Sequence, residues 1–235
     1  MGFKERYEGV LAEIEACCAA CGRDPSEVRV VAVSKTVGVE EVGRAAETGH
    51  VDFGENRPDQ ILEKQAALPE LTWHFIGNIQ SRRVKDIVRT SSLIHSVCEP
   101  RHLTRINAAA IGAGKVQEVL LEVNVSGEES KSGFSPDAVR GALVTAAGLK
   151  NVTVRGLMTM APQGDPAAAR ECFEGLAKLA GELRAELPED QAALFNELSM
   201  GMSEDWREAV CAGATMLRIG RALFDEEFED ASSRG

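Results

Sequence analysis

Eight strand-like stretches alternate with helix-like stretches along this chain, joined by short connections, and that alternation is what most restricts its fold. Parallel strands need long crossovers, which helices supply, and eight such units without a break argue for a closed (β/α)8 TIM barrel rather than an open sheet. The strand-like segments are about 28–34, 51–54, 73–76, 93–97, 118–125, 152–158, 197–200 and 215–219. Helical patterns fall at about 39–48, 58–67, 80–90, 100–111, 135–147, 166–186 and 203–211. An extra amphipathic helix at about 3–21 precedes them, with Tyr7, Val10, Leu11, Ile14, Cys17, Cys18 and Cys21 on one face. Residues 1–235 thus read as one domain: this helix, a barrel over about 28–224, and an acidic tail at 225–235.

Composition excludes several classes of function. A net charge of −11 makes nucleic acid and anionic membrane surfaces poor partners. No apolar run approaches membrane-spanning length, no secretory signal follows Met1, and Arg6 breaks the myristoylation pattern. Six scattered cysteines read as reduced thiols, so a cytoplasmic location is expected. Cys18-Ala-Ala-Cys21 matches CxxC, but it has no second CxxC and no preceding strand, and packed helix-face thiols are the better reading. Gly112-Ala-Gly-Lys115 lacks P-loop spacing. Histidines 50, 74, 95 and 102 show no metal-binding spacing, two lie inside strand-like stretches, and no metal site is expected.

In a barrel of this kind, sites form at the carboxyl ends of the strands. The first such end carries Lys35, after the run Val28-Arg-Val-Val-Ala-Val-Ser. A lysine at the rim of an apolar core is a nucleophilic amine, because burial disfavours its ammonium form. Other strand ends offer Glu55, Asn56, Gly77, Asn78, Ser96, Asn124, Ser126, Met158 and Thr159. The last two loops, Ser199-Met-Gly-Met-Ser203 and Arg218-Ile-Gly-Arg221, read as a phosphate site. Gly201 and Gly220 allow close backbone approach, Ser203 is the expected cap of the next helix, and Arg218 adds a charge-assisted contact. Glu204 and Asp205 are expected to point away from an anion. Lys131-Ser-Gly133, after Glu128-Glu129, reads as a charged loop at the mouth that is either a lid or simply solvated.

The chain resembles the pyridoxal-phosphate homeostasis (YggS/PROSC) family. The resemblance rests on Ala32-Val-Ser-Lys-Thr36, Phe53-Gly-Glu-Asn56, Trp73-His-Phe-Ile-Gly77, Ile94-His-Ser-Val97 and Glu122-Val-Asn-Val-Ser126. It continues through Glu129-Ser-Lys-Ser-Gly133, Gly156-Leu-Met158, Leu198-Ser-Met-Gly-Met-Ser203 and Arg218-Ile-Gly220, in the family's order. It implies a barrel like the alanine racemase N-terminal domain, with pyridoxal 5'-phosphate (PLP) held as an imine on Lys35. It also implies phosphate contacts from Ser199, Gly201, Arg218, Gly220 and the backbone of Arg221, with Asn56 and Met158 near the cofactor. Family members are associated with keeping PLP low and available, without robust catalysis. PLP-dependent apoenzymes are the implied recipients, and the barrel is expected to be a monomer or weak homodimer. Arg57-Pro58, Arg82-Arg83, Arg221 and Asp225 depart from the family's usual pattern.

Three readings of the same residues compete. A PLP carrier needs no catalytic residue. A racemase-like PLP enzyme needs an acid/base group on each face of a planar intermediate, and the only tyrosine, Tyr7, lies on the amino-terminal helix. A lysine-imine aldolase would use the two-loop site for a phosphorylated sugar, and only the family motifs argue against it.

Overall fold

The computed structural model describes residues 2–128 and 130–228; the tail expected beyond 228 and Glu129 lie outside the described residues. Eight parallel strands close in sequence order into a barrel: β1 (Arg29–Val33), β2 (Asp52–Glu55), β3 (Thr72–Phe75), β4 (Leu93–Val97), β5 (Gln117–Glu122), β6 (Val152–Met158), β7 (Glu197–Ser199) and β8 (Met216–Ile219). The (β/α)8 expectation is met.

The helices between them are α2 (Val39–Ala46), α3 (Pro58–Ala67), α4 (Val84–Thr90), α5 (Pro100–Gly112), α6 (Val139–Ala147), α7 (Pro166–Glu186), α8 (Glu189–Leu194) and α9 (Trp206–Cys211), with α10 (Arg221–Phe224) after β8. The amino-terminal helix α1 (Phe3–Cys21) falls where its pattern places it and buries Val10, Ile14 and Cys18, one turn apart. It ends at Gly22, which takes the left-handed conformation at φ 71°. α7 starts where sequence chemistry places it, with Pro166 in the first turn and the Asp165 carboxylate accepting from the amides of Ala167 and Ala168.

Strand ends differ from the sequence pattern where loops interfere. β5 stops at Glu122 instead of continuing to Val125, because Phe134 folds back and its amide donates to the Glu122 carbonyl at 2.8 Å. The 80–90 helix begins as a 3-10 turn at Ser81–Arg83, and short α8 was not legible as a separate helix.

β1 pairs with β8 from Arg29↔Met216 to Ala32↔Ile219, which closes the ring. Aliphatic and aromatic side chains between strands and helices form the main core; Leu93, Leu120, Met158 and Met216 form a separate buried cluster. β6 presses against β7 at Gly156, whose φ of 151° is open to glycine and where an added Cβ would lie 1.9 Å from the Glu197 carbonyl oxygen.

Replacing Gly156 by alanine is therefore expected to push β6 off β7 and cost about 2–3 kcal/mol of stability or more, read as a lower midpoint in urea unfolding.

Candidate functional site at the carboxyl rim of the barrel

Lys35 lies two residues beyond β1, in a turn, and its side chain is exposed, whereas Ser34 is fully buried. The expected apolar setting for its amine is therefore absent: the chain leaves the core at Ser34, one residue before the lysine. The buried lysine is Lys64 on α3, 3 % exposed, which forms an ion pair with the fully buried Glu55 at the end of β2. Its ammonium also donates to the Ser34 carbonyl at 2.8 Å, and the Ser34 hydroxyl donates to Glu55 Oε1 at 2.7 Å. This buried pair clamps the residue immediately before Lys35 through Glu55 Oε1. Nothing in the alternating sequence pattern singles out Lys64.

The rim around Lys35 is polar and incompletely satisfied. Among the described residues, buried oxygens without a hydrogen-bond partner include Glu55 Oε2, Asn56 Oδ1, Gln60 Oε1 and Glu122 Oε1. These end or directly follow β2, sit in the first turn of α3, or end β5. Buried orphan acceptors of this kind suit a polar ligand. Met158 ends β6 in the buried apolar cluster, beside Glu122 in register. The Asn124 side chain is engaged within its own loop: its amide donates to the Glu128 carbonyl at 2.8 Å, and its oxygen accepts from the Gly127 amide at 3.0 Å. Lys131 pairs with Glu128 at 3.0 Å. Cys98, Glu99 and His102 bring potential metal-ligand atoms within 4.8 Å of one another, a Cys-x3-His spacing that a histidine-only reading missed. The Glu99 carboxylate is also paired with Arg101.

The last two loops meet, but not as the sequence implied. Ser203 does not cap α9, which begins at Trp206 after Asp205. Its hydroxyl oxygen instead accepts from the amides of Gly220 and Ala222 at 3.3 and 3.2 Å, stitching the two loops together. Gly201 holds φ at 89°, and an added Cβ would lie 2.6 Å from Ala209 Cβ. Asp205 is buried and accepts from the Met202 amide at 2.6 Å. The guanidinium of Arg221 pairs with Glu204 at 2.7 Å and lies 5.2 Å above the Phe228 ring.

Arg218 enters the barrel interior and is 4 % exposed. It donates to Ser199 Oγ at 2.7 Å and to the Thr159 carbonyl at 3.0 Å. From Ser199 a run of hydrogen bonds crosses the barrel. Ser199 Oγ meets His95 Nδ1 at 2.8 Å, His95 Nε2 meets His74 Nδ1 at 2.9 Å, and His74 Nε2 meets Asp52 Oδ1 at 3.2 Å. Asp52, His74 and His95 were not legible as site neighbours, because their strands look like ordinary core strands.

Burial governs the electrostatics. It lowers the Arg218 pKa to about 10, against the opposing charges of Asp205 and Glu122. It raises the carboxyls of Glu122 and Asp205, each partly offset by Arg218. It also lowers His50 and His102, and holds His95 well below the ordinary histidine range.

Two consequences are measurable. Lys64→Met leaves Glu55 buried without its cation and is expected to cost about 3–5 kcal/mol, read in urea unfolding. Histidines with folded pKa values below the unfolded one bind fewer protons folded than unfolded, so stability is lost as pH falls below about 6.5. A stability profile from pH 7.5 to 5.5 should fall, and His95→Gln should make it shallower by up to about 1.4 kcal/mol per pH unit.

Comparison with known proteins places the chain. The family model described as "Alanine racemase, N-terminal domain" matches residues 14–227. A pyridoxal phosphate homeostasis protein of Aquifex aeolicus is 38% identical over 229 residues, covering 96% of this chain and 99% of the relative. Its counterpart in Deinococcus radiodurans is 40% identical over 218 residues, covering 92% and 97%. PipY of Synechococcus elongatus, solved with PLP bound, is 34% identical, covers 91% of this chain and 99% of its own, and superposes with a TM-score of 0.79. With an alanine-racemase-type barrel and this likeness along nearly its whole length, the chain belongs to the pyridoxal phosphate homeostasis protein family.

Proposed function

We propose that this chain binds PLP at the carboxyl rim of its barrel and serves PLP homeostasis as a carrier. The observation that carries this reading is the convergence of Lys35, the Ser203-stitched glycine loops and buried Arg218 on one rim that also holds orphan buried acceptors. The residues fit the group. Its aldehyde reacts reversibly with a primary amine, and Lys35 is the accessible amine, held at the Ser34 turn by Lys64. Gly201 and Ser199 on one loop, and Arg218, Gly220 and the backbone of Arg221 on the other, bracket the phosphate. Asn56 and Met158 line the approach from β2 and β6. The Arg221 guanidinium is left to Glu204, so that position contributes its backbone.

The carrier reading is favoured over a racemase-like enzyme by the position of Tyr7. Its hydroxyl lies 3.1 Å from His50 Nδ1, just ahead of β2 and at the opposite end of the strands from Lys35. It is not placed to serve the second face of a bound cofactor. PLP-dependent apoenzymes are the proposed recipients, in the cytoplasm, from a monomer or weak homodimer. Among the described residues, no helix is long and apolar enough to cross a membrane.

The test is the visible spectrum of the full chain with added PLP, before and after borohydride. Wild type is expected to develop a yellow band that borohydride fixes covalently on Lys35; Lys35→Ala is expected to lack it. Absence of the band in wild type would overturn PLP binding through this lysine. Turnover of an amino acid at an enzyme-like rate, abolished in Lys35→Ala, would overturn the carrier reading in favour of the enzyme.

A further inference from the structure

The hydrogen bonds from Arg218 to Asp52 have a direction that their two ends impose. Arginine only donates, and an ionised aspartate only accepts. Arg218 Nη1 donates to Ser199 Oγ, so the Ser199 hydroxyl proton is free to go to His95 Nδ1. His95 must then carry its proton on Nε2 and donate to His74 Nδ1. His74 carries its proton on Nε2 and donates to Asp52 Oδ1. With both rings neutral, one arrangement satisfies every link, and every donor points from the rim toward the amino-terminal end of the strands. In that arrangement Ser199 has no proton to offer a ligand.

The opposite arrangement requires one added proton. With His74 as an imidazolium beside Asp52, its Nδ1–H donates to His95 Nε2, and His95 Nδ1–H donates to Ser199 Oγ. Ser199 then accepts from both Arg218 and His95, and the proton on its oxygen, now the one supplied by solvent, turns outward. One proton enters from solvent, the two transferred protons each shift one place toward Asp52, and no bond between heavy atoms changes. We infer that Asp52, His74, His95, Ser199 and Arg218 form a relay that couples anion binding at Ser199 to uptake of a proton at His74. The ligand in this inference rests on the proposed PLP site; the relay itself rests on the geometry.

The surrounding charges are compatible with these roles. Asp52 stays ionised: burial alone raises its carboxyl, but the His74 hydrogen bond and the charges of His74, Arg29 and His50 bring it below the ordinary range. His95 is wholly enclosed and faces His74, Arg218 and Arg29, so it passes the proton on rather than storing it. Arg29 on β1 is answered by Glu197 on β7, and Arg218 on β8 by Glu122 on β5 and Asp205 before α9. His50, ahead of β2, donates to or accepts from Tyr7 and faces the Asp52 carbonyl at 2.7 Å. The carboxylate side chain of Asp52 is 21% exposed, while the His74 ring is 3% exposed. A purely structural network would hold the same bonds without taking up a proton when the anion binds.

Nitrogen-15 NMR of the histidine rings in the full, unloaded chain tests the relay. At pH 8 both His74 and His95 are expected to be neutral with the proton on Nε2. As the pH is lowered, His74 should gain a second proton while His95 stays neutral and moves its proton to Nδ1. A His95 that keeps its Nε2 proton when His74 is charged would overturn the relay. At pH 8, pyridoxine 5'-phosphate, which has the ring and phosphate but no aldehyde, should bring about the same switch. Calorimetry in two buffers of different ionisation heat should then show net proton uptake, and Asp52→Asn should bind the compound without it. Binding to wild type with unchanged rings and no proton uptake overturns the coupling. No binding at all counts against the proposed PLP site, and the acid titration then decides the relay alone.

Discussion

Closure of β1 onto β8 is the constraint on which the site depends. The two strands are almost at opposite ends of the chain, yet four residue pairs from Arg29↔Met216 to Ala32↔Ile219 hold them in one register. That pairing sets the Lys35 turn beside the Arg218 loop. At Gly220, an added Cβ would come within 3.2 Å of the Val33 carbonyl oxygen, so the last loop lies directly against the end of β1. A parallel barrel pays no edge penalty once closed, because each strand's backbone groups find partners on both sides. The cost is moved to the interior, where inward-facing polar groups must satisfy one another.

This interior does so in two separate ways. Lys64, Glu55 and Ser34 form a compact charged clamp at the end of β1, with only Glu55 Oε2 left unpaired. Arg218, Ser199, His95, His74 and Asp52 form an extended run in which each side chain is oriented by the next. Buried polar groups are expensive when partly satisfied and rigid when fully satisfied. The contrast with the rim is informative: there, acceptors such as Asn56 Oδ1 and Glu122 Oε1 are buried without partners.

The sequence was a good guide wherever local chemistry decides. β4, β6, α1, α3 and α7 begin and end where the pattern places them, because Pro58, Pro100, Pro166, Asp165 and Gly22 punctuate the chain with their own backbone preferences. It was a poorer guide where a distant segment intervenes. Phe134 cut β5 short, and Ser203, which has the composition of a helix cap, was drawn to the amides of Gly220 and Ala222. Lys35 was expected in apolar surroundings because its strand is apolar, but the turn at Ser34 takes it into solvent.

By itself, the sequence determined the repeating βα architecture, the family, and the rim residues, since strand alternation and short motifs are local properties of the chain. Only the tertiary structure decided which lysine is buried, what Arg221 touches, and that two unremarkable strand histidines join Asp52 to Ser199. Those relations depend on the inward face of a closed barrel, where residues 104 positions apart, such as His95 and Ser199, meet at hydrogen-bond distance. No linear pattern encodes such a meeting, because it is fixed by strand register and closure rather than by neighbours along the chain.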